Sequence, residues 1–146
     1  MNDQYREELE VIRKTNNGFI RPQEVVEFAR DPKTALHEAF EWDDSSAAES
    51  YRLMQARAII RVCVIIEPTK SEKVKAYVSL MHDRHNEGGY RAMVEVMNDE
   101  MLKDQLLSDA LKELQTFQRK YAKLRDVVML GPIFNILDDQ QKAIAG

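Results

Sequence analysis

The chain has 146 residues, 44% of them hydrophobic and 32% charged, with a formal net charge of -4. That length suits one ordinary domain, or a small domain joined to an oligomerisation element. The acidic balance excludes a uniformly basic surface, so contact with nucleic acid would need a local basic field.

Taken in chain order, Tyr5, Leu9 and Ile12 are spaced four and three and predict a narrow helical stripe over residues 1–15. Asn16-Asn17-Gly18 should stop that helix, because Asn and Gly tolerate the left-handed conformation at a helix C-terminus. Pro22 suits the first turn of a second helix, with Val25, Val26, Phe28 and Ala29 on its buried face and Asp31-Pro32 at its end. A short helix follows over Lys33 to Phe40. After Glu41-Trp42-Asp43-Asp44 comes a longer one, from about Ser46 to Arg61. Its apolar stripe, Ala47, Ala48, Tyr51, Met54, Ala58 and Ile59, is expected to face inward. Glu49, Ser50, Arg52, Gln55 and Arg57 are then left free.

The period changes at Val62. The runs Val62–Ile66 and Val74–Leu80 predict a β-hairpin whose loop, Glu67 to Lys73, is too long for a two-residue turn. Cys63, the single cysteine, lies in the first run as a small hydrophobe, and its solitude fits a reducing compartment. Residues 81–89 read as a polar connector, and Tyr90 to Met97 as a short amphipathic helix. The strongest periodic signal runs from about Asp99 to Val128. Leu107, Ala110, Leu114, Phe117, Tyr121, Leu124 and Val128 alternate three and four apart, the a/d seam of a coiled coil. A single amphipathic helix docked on its own domain gives the same spacing. Gly131-Pro132 should break this helix before a short apolar one around Ile133 to Leu137.

The expected class is mostly α with a β-hairpin, an α+β protein. Three helices followed by a hairpin is the element order of a winged helix-turn-helix, here with a long C-terminal helix. The divisions are an N-terminal helix (1–18), a winged-helix-like domain (19–81), a connector (82–89) and a helical oligomerisation region (90–146). In that frame Arg52, Gln55 and Arg57 would meet a groove of DNA, and Lys70, Lys73 and Lys75 of the wing would neutralise phosphates. Glu41, Asp43, Asp44 and Glu49 count against it, since they cluster at the helix end that normally reads bases. The alternative reading of Asp43-Asp44 is a cap complementing the helix dipole, with Trp42 anchoring the turn.

Catalytic and metal signatures are weak. His82-Asp83-Arg84-His85 lacks further convergent ligands and reads as solvated loop, so no metal or other cofactor is expected. No G-x-S-x-G elbow or Walker loop occurs, and the chain reads as not an enzyme. The seven methionines read mainly as core gap-fillers. No apolar run approaches the roughly 18 residues that span a bilayer. The start, MNDQYREELEVIRK, is too charged for a signal peptide, so the expected location is the cytoplasm with no membrane partner.

The stretch Arg21 to Val62 resembles a family of small uncharacterised proteins encoded by phages and prophages. The resemblance is carried by Pro22, Val25-Val26, Ala29-Arg30-Asp31-Pro32, Leu36-His37, Phe40-Glu41-Trp42-Asp43-Asp44, Ala56-Arg57 and Ile60-Arg61, with Gly88-Gly89-Tyr90 beyond it. It implies a phage context, hence the host cytoplasm, and no residue roles. By architecture alone the layout is similar to phage DNA-packaging small subunits and repressor-type regulators. The leading expectation is therefore a non-enzymatic, phage-type DNA-binding or regulatory protein. Its oligomer would close through Leu107, Leu114, Phe117, Tyr121, Leu124 and Val128. The alternatives are an adaptor or inhibitor of a host protein using the acidic Glu41–Glu49 surface, and a structural virion component.

Overall fold

The computed structural model describes residues 3–43 and 46–145. Asp44 and Ser45, half of the expected helix cap, lie outside the described residues. The chain is mostly helical (66%) with two small antiparallel sheets, an α+β protein. It divides into two units, Met1–Lys103 and Asp104–Gly146.

In the first unit, α1 (Asp3–Thr15) buries Leu9 and Ile12. It ends as expected: Asn17 and Gly18 take positive φ, and the Gly18 N–H donates to the Arg13 carbonyl. Strand β1 (Phe19–Ile20) leads into α2 (Pro22–Ala29), which has Pro22 in its first turn and buries Val25, Val26 and Ala29. A 3₁₀ helix (Ala35–Ala39) replaces the expected short α-helix. Its first N–H groups, from Ala35 and Leu36, donate to the Glu8 carboxylate at 2.7 and 2.8 Å. Then comes α3 (Ser46–Val62), within a residue of its expected C-terminal end.

The expected hairpin forms only in part. Strands β2 (Val64–Ile66) and β3 (Lys73–Lys75) pair antiparallel, Val64 with Lys75 and Ile66 with Lys73. The chain then bends at Ala76, and β4 (Tyr77–Val78) joins a second sheet of order β1-β5-β4. Ala76 ties the two sheets together. Its N–H donates to the Cys63 carbonyl and its carbonyl accepts from Met93.

The expected connector contains α4 (Met81–His85). The expected helix at Tyr90 begins instead as β5 (Tyr90–Ala92), which pairs with β1 and β4 before α5 (Met93–Asn98). Gly89 makes that pairing accessible: a Cβ there would lie 3.1 Å from the Phe19 ring and 3.2 Å from Arg21 Cγ. One core joins Leu9, Ile12, Ile20, Val25, Val26, Leu36, Ile60 and Cys63. Full burial of each large aliphatic side chain among them stabilises by roughly 1.5–3 kcal/mol. Leu9 and Ile12 of α1 and Tyr90 of β5 therefore pack with the same core as Ile20, Val25, Ile60 and Tyr77.

The second unit corrects the long-helix expectation. Helix α6 (Glu100–Lys120) stops at Lys120, a 3₁₀ turn follows (Ala122–Leu124), and α7 (Leu130–Ala145) begins before Gly131-Pro132. Gly131 and Pro132 sit in the first turn of α7, where a missing N–H costs nothing. Tyr121, Leu124 and Val128 lie beyond α6, so they cannot extend a straight seam with Leu107, Leu114 and Phe117. The return is fastened by Arg125, which donates to Asp138 at 2.9 Å and to Asn135 at 3.1 Å. The Phe117 and Phe134 rings meet edge to face at 6.4 Å.

A partly buried polar network couples α1 to the second sheet. The Tyr77 hydroxyl donates to Glu10 at 2.6 Å, and Arg13 binds both Glu10 and Glu95. Burial alone would raise the Glu10 carboxyl, but hydrogen bonds from Arg13 and Tyr77 hold it below the usual carboxylate range. A depressed carboxyl stabilises the fold fully above its unfolded value, about 4.3, and that contribution is lost as the pH falls through the folded value. Urea unfolding should therefore show wild-type stability falling below about pH 4.3, with a shallower fall in Glu10→Gln. Equal slopes would remove Glu10 from the account.

Candidate functional site

The loop from Phe40 into α3 closes on a buried guanidinium. Arg52 is 4% exposed, and its Nη1 donates to the carbonyls of Glu41 (2.8 Å) and Asp43 (3.0 Å). Its Nε and Nη2 both donate to Glu49. Trp42 lies beneath, with the Arg52 and Arg30 guanidinium carbons 5.4 and 5.6 Å from its ring centroid. His37 stacks on the indole at 4.9 Å and 10°. Trp42 Nε1 donates to the His37 carbonyl, and His37 Nδ1 donates to Ala29. Arg30 completes the cage by donating to Glu49. Hydrogen bonding from Arg52 holds the Glu49 carboxyl below its ordinary range.

Arg52 is thereby removed from the nucleic-acid candidates, because its donors are aimed into the protein. Gln55 is also turned inward, half-buried, with its Oε1 lacking a hydrogen-bond partner. The inward face of α3 is Arg52, Ala56, Ile60 and the following Cys63, not the expected Tyr-Met stripe. Tyr51, Met54 (63% exposed) and Val62 face outward. The helix carries two apolar stripes, and the one with the larger aliphatics and the arginine cage is the one buried.

Arg57 has a different setting. It lines a groove of about 270 Å³ with Arg61, Arg84, Ser79, Glu87, Gly88, Gly89, Tyr90 and the start of α2, Pro22 and Gln23. Six arginines of the chain (Arg13, Arg21, Arg30, Arg52, Arg91 and Arg125) are ion-paired with carboxylates. Among the described residues, Arg57, Arg61 and Arg84 have no such partner within ion-pair distance. Three arginines from two helices thus line one groove with no carboxylate within ion-pair distance of them, which leaves a local positive field on an acidic chain. Of the hairpin lysines, Lys75 reaches α3, its Nζ donating to the Arg61 carbonyl at 2.6 Å. Lys73 and Lys75 project from the exposed face of β3, and Lys70 sits in the loop before it.

Asp83, expected in a solvated loop, is buried. It receives two hydrogen bonds from Arg91, at 2.6 and 2.9 Å, and its carbonyl accepts the Gly88 N–H. Phe19 is flanked by the guanidiniums of Arg21 and Arg91. This clamp fixes the 86–89 turn, in which Glu87, Gly88 and Gly89 all take positive φ. The described residues contain no cluster of three or more His, Cys, Asp or Glu arranged for a metal. Burial pushes the Cys63 thiol up, so it has packing character and not that of a reactive thiolate.

Of the expected oligomer seam, Leu107, Leu114, Phe117, Leu124 and Val128 are exposed and Tyr121 is half-buried. Sequence reasoning missed Arg61 and Arg84. Their signal lay in the spacing of Arg57 and Arg61, one helical turn apart, but Arg84 joins them only through the fold.

No family model, curated protein or solved structure matches the chain.

Replacing Arg52 by Ala would leave two loop carbonyls without their donor and Glu49 with Arg30 alone, and should lower unfolding stability by at least ~2 kcal/mol. Arg57→Ala should stay within about 0.5 kcal/mol of wild type, as a groove-wall residue with no internal ion pair. Chemical denaturation of both variants measures the contrast, and similar losses would contradict these placements.

Proposed function

We propose that the protein is a non-enzymatic, phage-type nucleic-acid-binding or regulatory protein that works as an oligomer in the host cytoplasm. Its head is read as winged-helix-like: α1, β1, α2, the 3₁₀ helix and α3 are followed by the β2–β3 hairpin. The observation that carries the reading is the groove lined by Arg57, Arg61 and Arg84, with Lys75 bonded to the Arg61 carbonyl; Lys73 on β3 and Lys70 in the loop before it are read as extending this basic surface. Such a surface suits a phosphate backbone, which is held by positive charge without base-specific reading. The phage context rests on the resemblance in Arg21 to Val62.

The oligomer is supported by the second unit. Its buried hydrophobics among the described residues are Phe134 and Leu137, whereas Leu107, Leu114, Phe117, Val128 and Ile136 are exposed. Apolar surface on that scale in a short helical pair suits contact with another copy. With Tyr121, Leu124 and Val128 off the helix, the contact is read as packing of α6–α7 hairpins and not as a three-heptad coiled coil.

A second reading has its own observation. Tyr51, Met54 and Val62 on the outer face of α3, with Ile66 on β2, form an apolar strip at the position where a DNA-reading helix is usually polar. That strip suits a protein partner and adds to the acidic Glu41–Glu49 surface, of which Glu49 is engaged by Arg30 and Arg52.

Fluorescence anisotropy with duplex and single-stranded DNA separates the readings. Phosphate-driven binding should weaken by an order of magnitude or more between about 50 and 200 mM salt. Arg57→Glu with Arg61→Glu should weaken it further by at least ~tenfold. Absence of binding at low salt would overturn the nucleic-acid reading in favour of the protein partner. Sizing with light scattering should give a dimer or larger species, and a monomer would overturn the oligomer.

A further inference from the structure

The groove has more definition than a basic strip needs. We infer that it is a nucleotide site, holding a phosphate on Arg57, Arg61 and Arg84 and a base against Tyr90. This deepens the reading above and rests on its assignment of the groove as the basic site.

Five features carry the inference. At about 270 Å³ the groove lies near the lower end of small-ligand pockets, which begin at about 300 Å³. It is larger than a lone phosphate requires. The three arginines of the lining have no carboxylate within ion-pair distance, and a guanidinium is a forked donor suited to multidentate phosphate binding. At Gly88 an added Cβ would meet nothing within 4 Å, so the bare backbone borders open space where a ligand can approach. Ser79 supplies a hydroxyl, and the first turn of α2, the positive end of its dipole, contributes Pro22 and Gln23 to the wall. Tyr90, half-buried on β5, is the one aromatic ring in the lining, and base stacking on such a ring is tolerant of base identity.

Glu87 is the one carboxylate in the lining. Its exposed side chain stands 3.8 Å from Arg21, a weak pairing at the rim. It should oppose a bound phosphate, so Glu87→Gln is expected to tighten binding. The phosphorylated nucleotide could be free or could be the 5′ end of a nucleic-acid strand. Both present the same phosphate and base.

The test uses the full chain labelled with ¹⁵N, following the Gly88 and Gly89 amides during titration with AMP, inorganic phosphate, and 5′-phosphorylated or 5′-hydroxyl oligonucleotides. AMP or the 5′-phosphorylated strand should give saturable shifts, with inorganic phosphate binding at least ~fivefold more weakly because it lacks the stacked base. Arg84→Gln should weaken AMP binding about tenfold, and Tyr90→Leu should bring AMP down to the level of phosphate. A stronger response to the 5′-phosphorylated strand than to AMP would assign the end of a strand, and the reverse would assign a free nucleotide. If neither shifts Gly88 and Gly89 up to ~10 mM in a folded protein, the inference is overturned. It is also overturned if Arg84→Gln and Tyr90→Leu leave the affinities unchanged. Salt-dependent binding of long DNA with no response of Gly88 and Gly89 to AMP or to the 5′-phosphorylated strand would sink this inference alone. An AMP response without DNA binding would instead sink the broader nucleic-acid reading.

Discussion

The first unit depends on one buried cation. Arg52 reaches back from the second turn of α3 and satisfies the carbonyls of Glu41 and Asp43, which the loop before the helix would otherwise leave unpaired. Its charge is balanced by Glu49 on the same helix, and Glu49 is held in turn by Arg30 at the end of α2. Trp42 fills the space between the guanidiniums and His37. The described part of the loop, through Asp43, is thus held by side chains that a sequence reader takes for surface chemistry.

The cage also decides which way α3 faces. With Arg52 inward, Ala56, Ile60 and Cys63 follow it into the core one or two turns apart. Arg57 and Arg61 are then carried to the groove wall beside Arg84. The cage and the groove are consequences of one rotation of one helix. The rotation that buries one arginine leaves two others to meet solvent.

Much of the fold was legible because its signals are local. Asn17-Gly18 ended α1, Pro22 opened α2, and the β-branched run at Val64 marked the hairpin. The face of α3 was not legible, since both of its stripes have helical spacing and a buried arginine breaks the apolar pattern of the correct one. The neglected signal was Leu53, Ala56, Ile60 and Cys63, spaced three, four and three, with Glu49 and Arg52 three apart beside them. The heptad spacing continued past Lys120 although the helix did not. Periodicity is silent about a tertiary return, here fixed by Arg125 on Asp138 and by Phe134 against Phe117. Strand β5 is three residues long, too short for alternation to distinguish it from the helix that follows. Arg57 was found from the sequence and Arg84 was not, because only the β5 pairing and the Asp83–Arg91 clamp bring the 81–89 segment to α3.

The central claim is that Arg52 and Trp42 act as one buried structural unit, so that recognition falls to the groove. A double-mutant cycle of Arg52→Met and Trp42→Leu, read by urea unfolding, tests it most directly. Side chains that share a cage should be coupled by about 1–2 kcal/mol. Additive losses, with coupling below ~0.3 kcal/mol, would mean that Arg52 stands free of Trp42 and would return it to the surface.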